Sequence, residues 1–178
     1  RLTANNVDKI MSILKIFLSY GADFSLKTPI ISVFRNVKVN LGGTTIEKEK
    51  YQVIKFLIQN DARVNVTKFD YNISPLGYAT RGLYVSIVKL LLDNGAVLDN
   101  YFMIYNLIQR YERDIYDKKI KEVFNLLIDN DSAIPLLKED DNIDRYLSMA
   151  SDKKDKSMMC KLIDVADKNN IEIPLLYR

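Results

Sequence analysis

Apolar residues recur along this chain in a block that is written five times. Ile13-Leu14-Lys15-Ile16-Phe17-Leu18-Ser19-Tyr20-Gly21 aligns without a gap on Val53 to Asp61 and on Ile87 to Gly95. Val123 to Asp131 is a fourth copy, and Met158 to Ala166 a fifth and weaker one. The copies start 40, 34, 36 and 35 residues apart. In each, the first, second, fourth, fifth and sixth places are mostly apolar. The third is Lys15, Lys55, Lys89, Asn125 or Cys160. Five apolar places in six wrap most of the way round a helix and leave one polar stripe, so each block predicts a helix buried on two sides. Self-similarity at this period predicts a stack of repeats.

Helix ends are also marked. The last place of the block is Gly21, Asp61, Gly95, Asp131 or Ala166. Glycine suits a left-handed C-terminal cap, and Asp tolerates it next best. Ala166 is a poor cap, so the fifth helix is expected to run on through Asp167 and Lys168. Each repeat also needs a first helix. Thr28-Pro29 and Ser74-Pro75-Leu76-Gly77-Tyr78-Ala79 supply two starts: the hydroxyls can cap free amides and the prolines fit the first turn. Tyr101 to Tyr111 and Ile143 to Ala150 have helical periodicity without that start. Val39 to Lys50 carries Gly42-Gly43, Thr44-Thr45 and a charged run, and is expected to be an extended loop. Glu139 to Asp144 is acidic and is expected to be a solvated loop.

The Thr28-Pro29 and Ser74-Pro75 starts, paired through Ala79 with Ile87 to Ala96, resemble the ankyrin repeat. The resemblance covers nearly the whole chain and is strongest in the second half of each unit. It implies an all-α ankyrin-repeat solenoid of about five helix-turn-helix repeats with short hairpin-like turns. The repeats lie near 1–27, 28–72, 73–100, 101–140 and 141–178 of one domain. The first lacks its leading helix or keeps a remnant in Arg1 to Asn6. Gly77 stands where the family has a histidine, and the fourth and fifth units lack the Thr-Pro start. Uneven spacers and a composition rich in Ile, Asn, Asp, Lys and Tyr resemble poxvirus ankyrin proteins. That likeness implies capture of a host protein in the host cytoplasm, in innate immune or cell-death signalling. Members of that family add a C-terminal segment that docks on cullin ubiquitin ligases; Ile173-Pro174-Leu175-Leu176 does not resemble it. A structural spacer and a bacterial effector array are the alternatives. The chain opens at Arg1 without a methionine and is expected to be an excerpt of a longer protein.

Composition narrows the chemistry. The 178 residues include no histidine, which removes the commonest general base and the commonest metal ligand. One cysteine excludes an internal disulfide framework. Cys160 has no histidine to activate it and sits at the polar place of its block, so it is expected to be partly exposed and inert. Glu139, Asp140, Asp141 and Asp144 lack the glycine and distal glutamate of a calcium loop. With 26 basic and 23 acidic residues, net charge is +3, and the Lys118–Lys121 and Lys153–Lys156 clusters are flanked by acids. Nucleic acid is not the expected partner. No run is long and apolar enough to span a membrane. The expected function is therefore non-catalytic, without cofactor or metal.

A partner is expected at the turns and first helices. Phe69 and Tyr71, beside Lys68, occupy one turn. Phe24 occupies the turn before it, and Tyr101 and Phe102 the next. A row of aromatics at successive turns would anchor a partner; alternatively, each packs down on its own turn. Tyr101 and Tyr105 are four apart and share a helix face, so they also read as core. Arg110 and Arg113 complete a second aromatic and basic group, and the 39–50 loop is a third candidate.

Overall fold

A computed structural model describes residues 4–35, 44–66, 73–100, 102–110, 117–139, 142–174 and 177. Among the described residues there are ten helices and no strand. They form two compact units, 1–96 and 97–178.

The first unit holds α1 (Ala4–Ser19), α2 (Pro29–Arg35), α3 (Thr44–Gln59), α4 (Pro75–Arg81) and α5 (Val85–Asp93). The short helix α2 packs on α3, and α4 packs on α5. The pairs then stack like on like: α2 against α4, and α1 against α3 against α5. Val53, Ile54 and Leu57 of α3, and Ile87, Val88 and Leu91 of α5, are buried. The third place of every copy, from Lys15 to Cys160, is exposed, as the polar stripe requires.

The second unit holds α6 (Phe102–Arg110), α7 (Asp117–Ile128), α8 (Ala133–Lys138), α9 (Asn142–Asp152) and α10 (Lys156–Lys168). Here α6 packs on α7 and α9 on α10; α6 also stacks on α9, and α7 on α10. The turn of helix α8 has no counterpart in the first unit. It lies against α7 and α9, buries Ala133 and Leu137 one turn apart, and has Pro135 in its first turn, where no backbone donor is missed.

Both kinds of cap follow the sequence. Ser74 Oγ accepts from the Gly77 N–H at 3.2 Å, with Pro75 opening α4. Ala79 is fully buried where α4 meets its neighbours. Gly21, Asp61 and Gly95 have φ of +80°, +63° and +81°. The following Ala22, Ala62 and Ala96 N–H groups reach back to Phe17, Leu57 and Leu91 at 2.9–3.0 Å. The fifth helix runs through Asp167 and Lys168, and Asn170 supplies the left-handed turn at φ +51°.

Four expectations are corrected. Thr44 to Lys50 is not loop: it forms the first two turns of α3. Glu47, Lys48, Glu49 and Lys50 are good helix formers, and Glu47 puts a carboxylate in the first turn, where the helix dipole favours it. Asn142 to Asp144 open α9 and are not a solvated loop, because buried Asn142 donates to the Leu136 carbonyl at 2.8 Å. Asp131 does not take the left-handed cap. There the Ala133 N–H bonds back to the Asn130 carbonyl and the chain turns directly into α8. Finally, α1 is not buried on two sides. Ile13, Ile16, Phe17 and Tyr20 are 49%, 53%, 53% and 86% exposed, since within the first unit this helix packs against α3. Ala4–Asn6, expected at most as a remnant of a first helix, belong to the start of α1. Residues 1–3 and 39–43, together with Asp140 and Asp141, lie outside the described residues.

Candidate functional site

In the second unit the outer faces of α6 and α9 diverge into an open cleft of about 400 Å³. Helix α6 buries Met103, Ile104, Leu107 and Ile108. Helical spacing then turns Phe102, Tyr105 and Gln109 the other way, at i, i+3 and i+7. Helix α9 buries Ile143, Tyr146, Leu147 and Ala150, which leaves Arg145 and Met149, one turn apart, on the face that lines the cleft. These five residues line the cleft. The Phe102 and Tyr105 rings meet edge to face, with centroids 6.3 Å apart at 90°. Phe102 remains 52% exposed and Arg145 is exposed, while Tyr105 and Met149 are half-buried.

The lining is aromatic, thioether, amide and guanidinium. Its one charged side chain is a cation. Asp144 belongs to a different recess, lined with Leu137, Lys138, Ile143 and Glu172. Phe, Tyr, Met and Arg are the types enriched where proteins bind proteins. Among the described residues no group of three His, Cys, Asp or Glu is placed to hold a metal ion. No helix there is long and apolar enough to cross a membrane.

The sequence-derived candidates meet this geometry unevenly. Phe102 was expected in a turn; it opens α6 and forms one wall of the cleft. Tyr105, which also read as core, stands half-buried beside it. Arg110 ends α6, half-buried and outside the lining. Phe24 is half-buried in the turn after α1. Lys68, Phe69, Tyr71, Tyr101 and Arg113 lie outside the described residues. Gln109, Arg145 and Met149 escaped the sequence reading. Their signal was the complement of the apolar stripe: once Tyr146 and Leu147 face inward, Arg145 and Met149 must share the opposite face.

A second constellation lies inside the first unit. Lys50 of α3 is 1% exposed. Its ammonium sits 4.8 Å from the centroid of the Tyr84 ring and 5.3 Å from that of Phe34, and donates to Tyr84 Oη at 3.4 Å. Phe34 of α2 stacks on Tyr78 of α4 at 5.8 Å. Burial pulls the Lys50 ammonium down to about 8. Burial first, and the Glu47 charge second, push the Tyr84 phenol up. Glu47 Oε1 accepts from the Ser86 N–H at 2.9 Å and Oγ at 2.7 Å, so α3 supplies the N-terminal cap of α5 that Tyr84 cannot. Lys50, Phe34 and Tyr84 are closed to solvent, and the group fastens one repeat to the next.

Turns are fastened similarly. Arg63 Nε donates to the Ser25 carbonyl at 2.6 Å, and Asn65 Nδ2 to the Gly95 carbonyl at 2.7 Å. In the second unit the Leu98 N–H donates to Ser132 Oγ at 2.9 Å. Asp155 Oδ1 caps α10 at the Met158 N–H, 3.1 Å away, while its Oδ2 pairs with Lys121 of α7 at 3.0 Å. Cys160 is exposed.

No curated protein and no solved structure matches this chain. Helix pairs that stack like on like, left-handed glycine or Asp caps and a Ser-Pro helix start are the features of the repeat that the sequence resembles. Residues 46–92, from the first turn of α3 to the last of α5, match the family model described as ankyrin repeats (many copies), and ankyrin repeats are in general protein–protein interaction modules.

Proposed function

We propose that the whole chain, 1–178, is one non-catalytic ankyrin array that captures another protein on the surface of its first helices. The α6–α9 cleft carries this reading. Phe102, Tyr105 and Met149 stay at the surface although both helices have complete buried stripes without them. Apolar surface with no structural need is the physical mark of a contact site. We extend the surface to Phe24, Lys68, Phe69, Tyr71, Tyr101, Arg110 and Arg113, on the strength of their positions between the repeated blocks of the sequence. We place the captured protein in the cytoplasm of a host cell, in innate immune or cell-death signalling. The support for this is the compositional likeness to poxvirus ankyrin proteins. Delivery to a cullin ubiquitin ligase would then fall to a segment outside 1–178.

The test is affinity capture from a host-cell lysate with the intact chain, a Phe102→Ala/Tyr105→Ala variant and a Phe69→Ala/Tyr71→Ala variant. A protein held by the wild type and released by at least one variant of unchanged helix content is expected. If every retained protein survives both variants, these surfaces do not capture it.

A further inference from the structure

We propose that Asn94 is a site of slow covalent self-modification, held shut by the fold and released when the last turn of α5 opens. Asn94-Gly95 is the one Asn-Gly pair of the chain. Glycine there carries no side chain to crowd its own nitrogen. In the reaction the Gly95 backbone nitrogen attacks Asn94 Cγ. The new C–N bond closes a succinimide, the Cγ–Nδ2 bond breaks, and the proton of the Gly95 N–H leaves with Nδ2 as ammonia. Water then opens the ring at either carbonyl and gives aspartate or isoaspartate; nothing is oxidised or reduced. Asn94 is exposed, so water reaches it. The folded chain restrains both reacting groups. Asn94 Nδ2, the leaving group, donates to the Leu90 carbonyl at 2.7 Å. The Gly95 N–H, the nucleophile, donates to the Leu92 carbonyl at 3.0 Å. At Asn94 ψ is 23°, which turns that nitrogen away from the side chain, whereas ring closure needs the two on one side. Undoing these restraints unwinds only the end of α5, a local event.

The repeats supply controls. Asn60 and Asn169 hold the same clamp, donating to the Phe56 and Val165 carbonyls at 2.8 Å, but Asp61 and Asn170 follow them. Conversion at Asn94 replaces a donor by a carboxylate at the C-terminal end of α5, where the helix dipole disfavours it. Isoaspartate also lengthens the backbone and shifts the Gly95 carbonyl, which accepts from Asn65 Nδ2 at 2.7 Å. The turn that links two repeats is thereby loosened.

The experiment incubates the intact chain in warm, mildly alkaline buffer, with and without unfolding urea, and follows each asparagine by peptide mass spectrometry. In urea Asn94 is expected to convert first, and Gly95→Ala to slow it about tenfold. Folding should slow Asn94 by about tenfold or more, yet leave it ahead of Asn60 and Asn169. Asn65→Ala, which removes a bond to the Gly95 carbonyl without touching α5, should speed the native reaction about fivefold. Asn94→Asp, standing for the product, should lower the melting temperature by about 3 °C. Another asparagine leading in urea would overturn the site, and equal rates in the folded and unfolded chain would overturn the gate. Native conversion that stays absent even in Asn65→Ala would overturn the local opening. An unchanged melting temperature of Asn94→Asp would overturn the loosening of the turn.

Discussion

The smallest unit of this fold is a single dihedral at the end of a helix. Asp61 holds φ +63° where Gly21 and Gly95 hold +80° and +81°. Only glycine enters that region without strain. Asp61→Gly is therefore expected to stabilise the protein by about 0.5 kcal/mol, and Gly95→Ala to cost about 1 kcal/mol, both read from urea midpoints. A Cβ built on Gly95 meets nothing within 4 Å, so that cost is purely conformational. Gly82 is a glycine for another reason. Its φ of −81° is ordinary, but a Cβ there would stand 2.3 Å from the Tyr84 ring. Gly82→Ala should push that ring off Lys50 and cost about 2 kcal/mol in the same assay. Lys50 itself gives a pH signature. Its pKa falls from 10.5 to about 8 on folding, so the unfolded chain binds the extra proton between these values. The burial penalty is complete below pH 8 and is relieved as pH rises toward 10.5, so stability should climb with pH through that window. Above pH 10 the raised Tyr84 phenol works in the opposite direction. Lys50→Met should be more stable than the wild type at pH 7 by about 1 kcal/mol and should flatten the rise between pH 8 and 10. An unchanged pH profile would mean that the ammonium is solvated in the native state. The left-handed caps were legible in the sequence, but the burial of Lys50 was not: it sits in a charged run that reads as solvent-exposed, and nothing local tells that Phe34 and Tyr84 close over it.

Among the elements, the second helices show how one sequence block meets different fates. Phe17, Leu57 and Leu91 hold the same place of the block, yet Phe17 is 53% exposed and the other two are buried. The block was legible because 3.6-residue periodicity records which face a helix buries. Exposure was not, because burial on the second side depends on the neighbour. Leu91→Ala should cost about 3 kcal/mol, and Phe17→Ala about 1 kcal/mol or less, in chemical denaturation. Similar costs at the two sites would show that something covers α1. The first helices were read less well. Ser74-Pro75 was unmistakable, whereas α8 was invisible because six residues make too short a window for periodicity. The start of α3 was misread because Gly42-Gly43 drew the loop too far along the chain. The cleft was half legible: Phe102 was singled out, but Arg145 and Met149 become neighbours of Phe102 only when α9 stacks on α6. The cross-links between elements also recur at one repeat length. Lys50 meets Tyr84 34 residues later, and Lys121 meets Asp155 34 residues later. One lysine is buried among rings, and the other, partly exposed, meets a buried carboxylate.

At the scale of each stacked unit, these contacts are between neighbours in the row. In the first unit α3 touches both α1 and α5, while α1 leans on α3. A stack of this kind behaves as a line of coupled segments, each stabilised by the ones beside it. An end segment such as α1 has one such neighbour and should open without taking the rest with it, whereas opening α3 uncovers the faces it shares with α1 and with α5. Burial follows the same gradient. The described blocks pass from half-exposed Ile13, Ile16 and Phe17 in α1 to fully buried Ile87, Val88 and Leu91 in α5. Native-state hydrogen exchange in low urea separates these events by their dependence on denaturant. The backbone amides of α1 should exchange through a local opening that urea hardly affects. Those of α5 should follow an opening with the steep urea dependence of cooperative unfolding. If α1 and α5 share one slope and one free energy, the unit is a single cooperative body, and neighbour coupling is not what sets its stability.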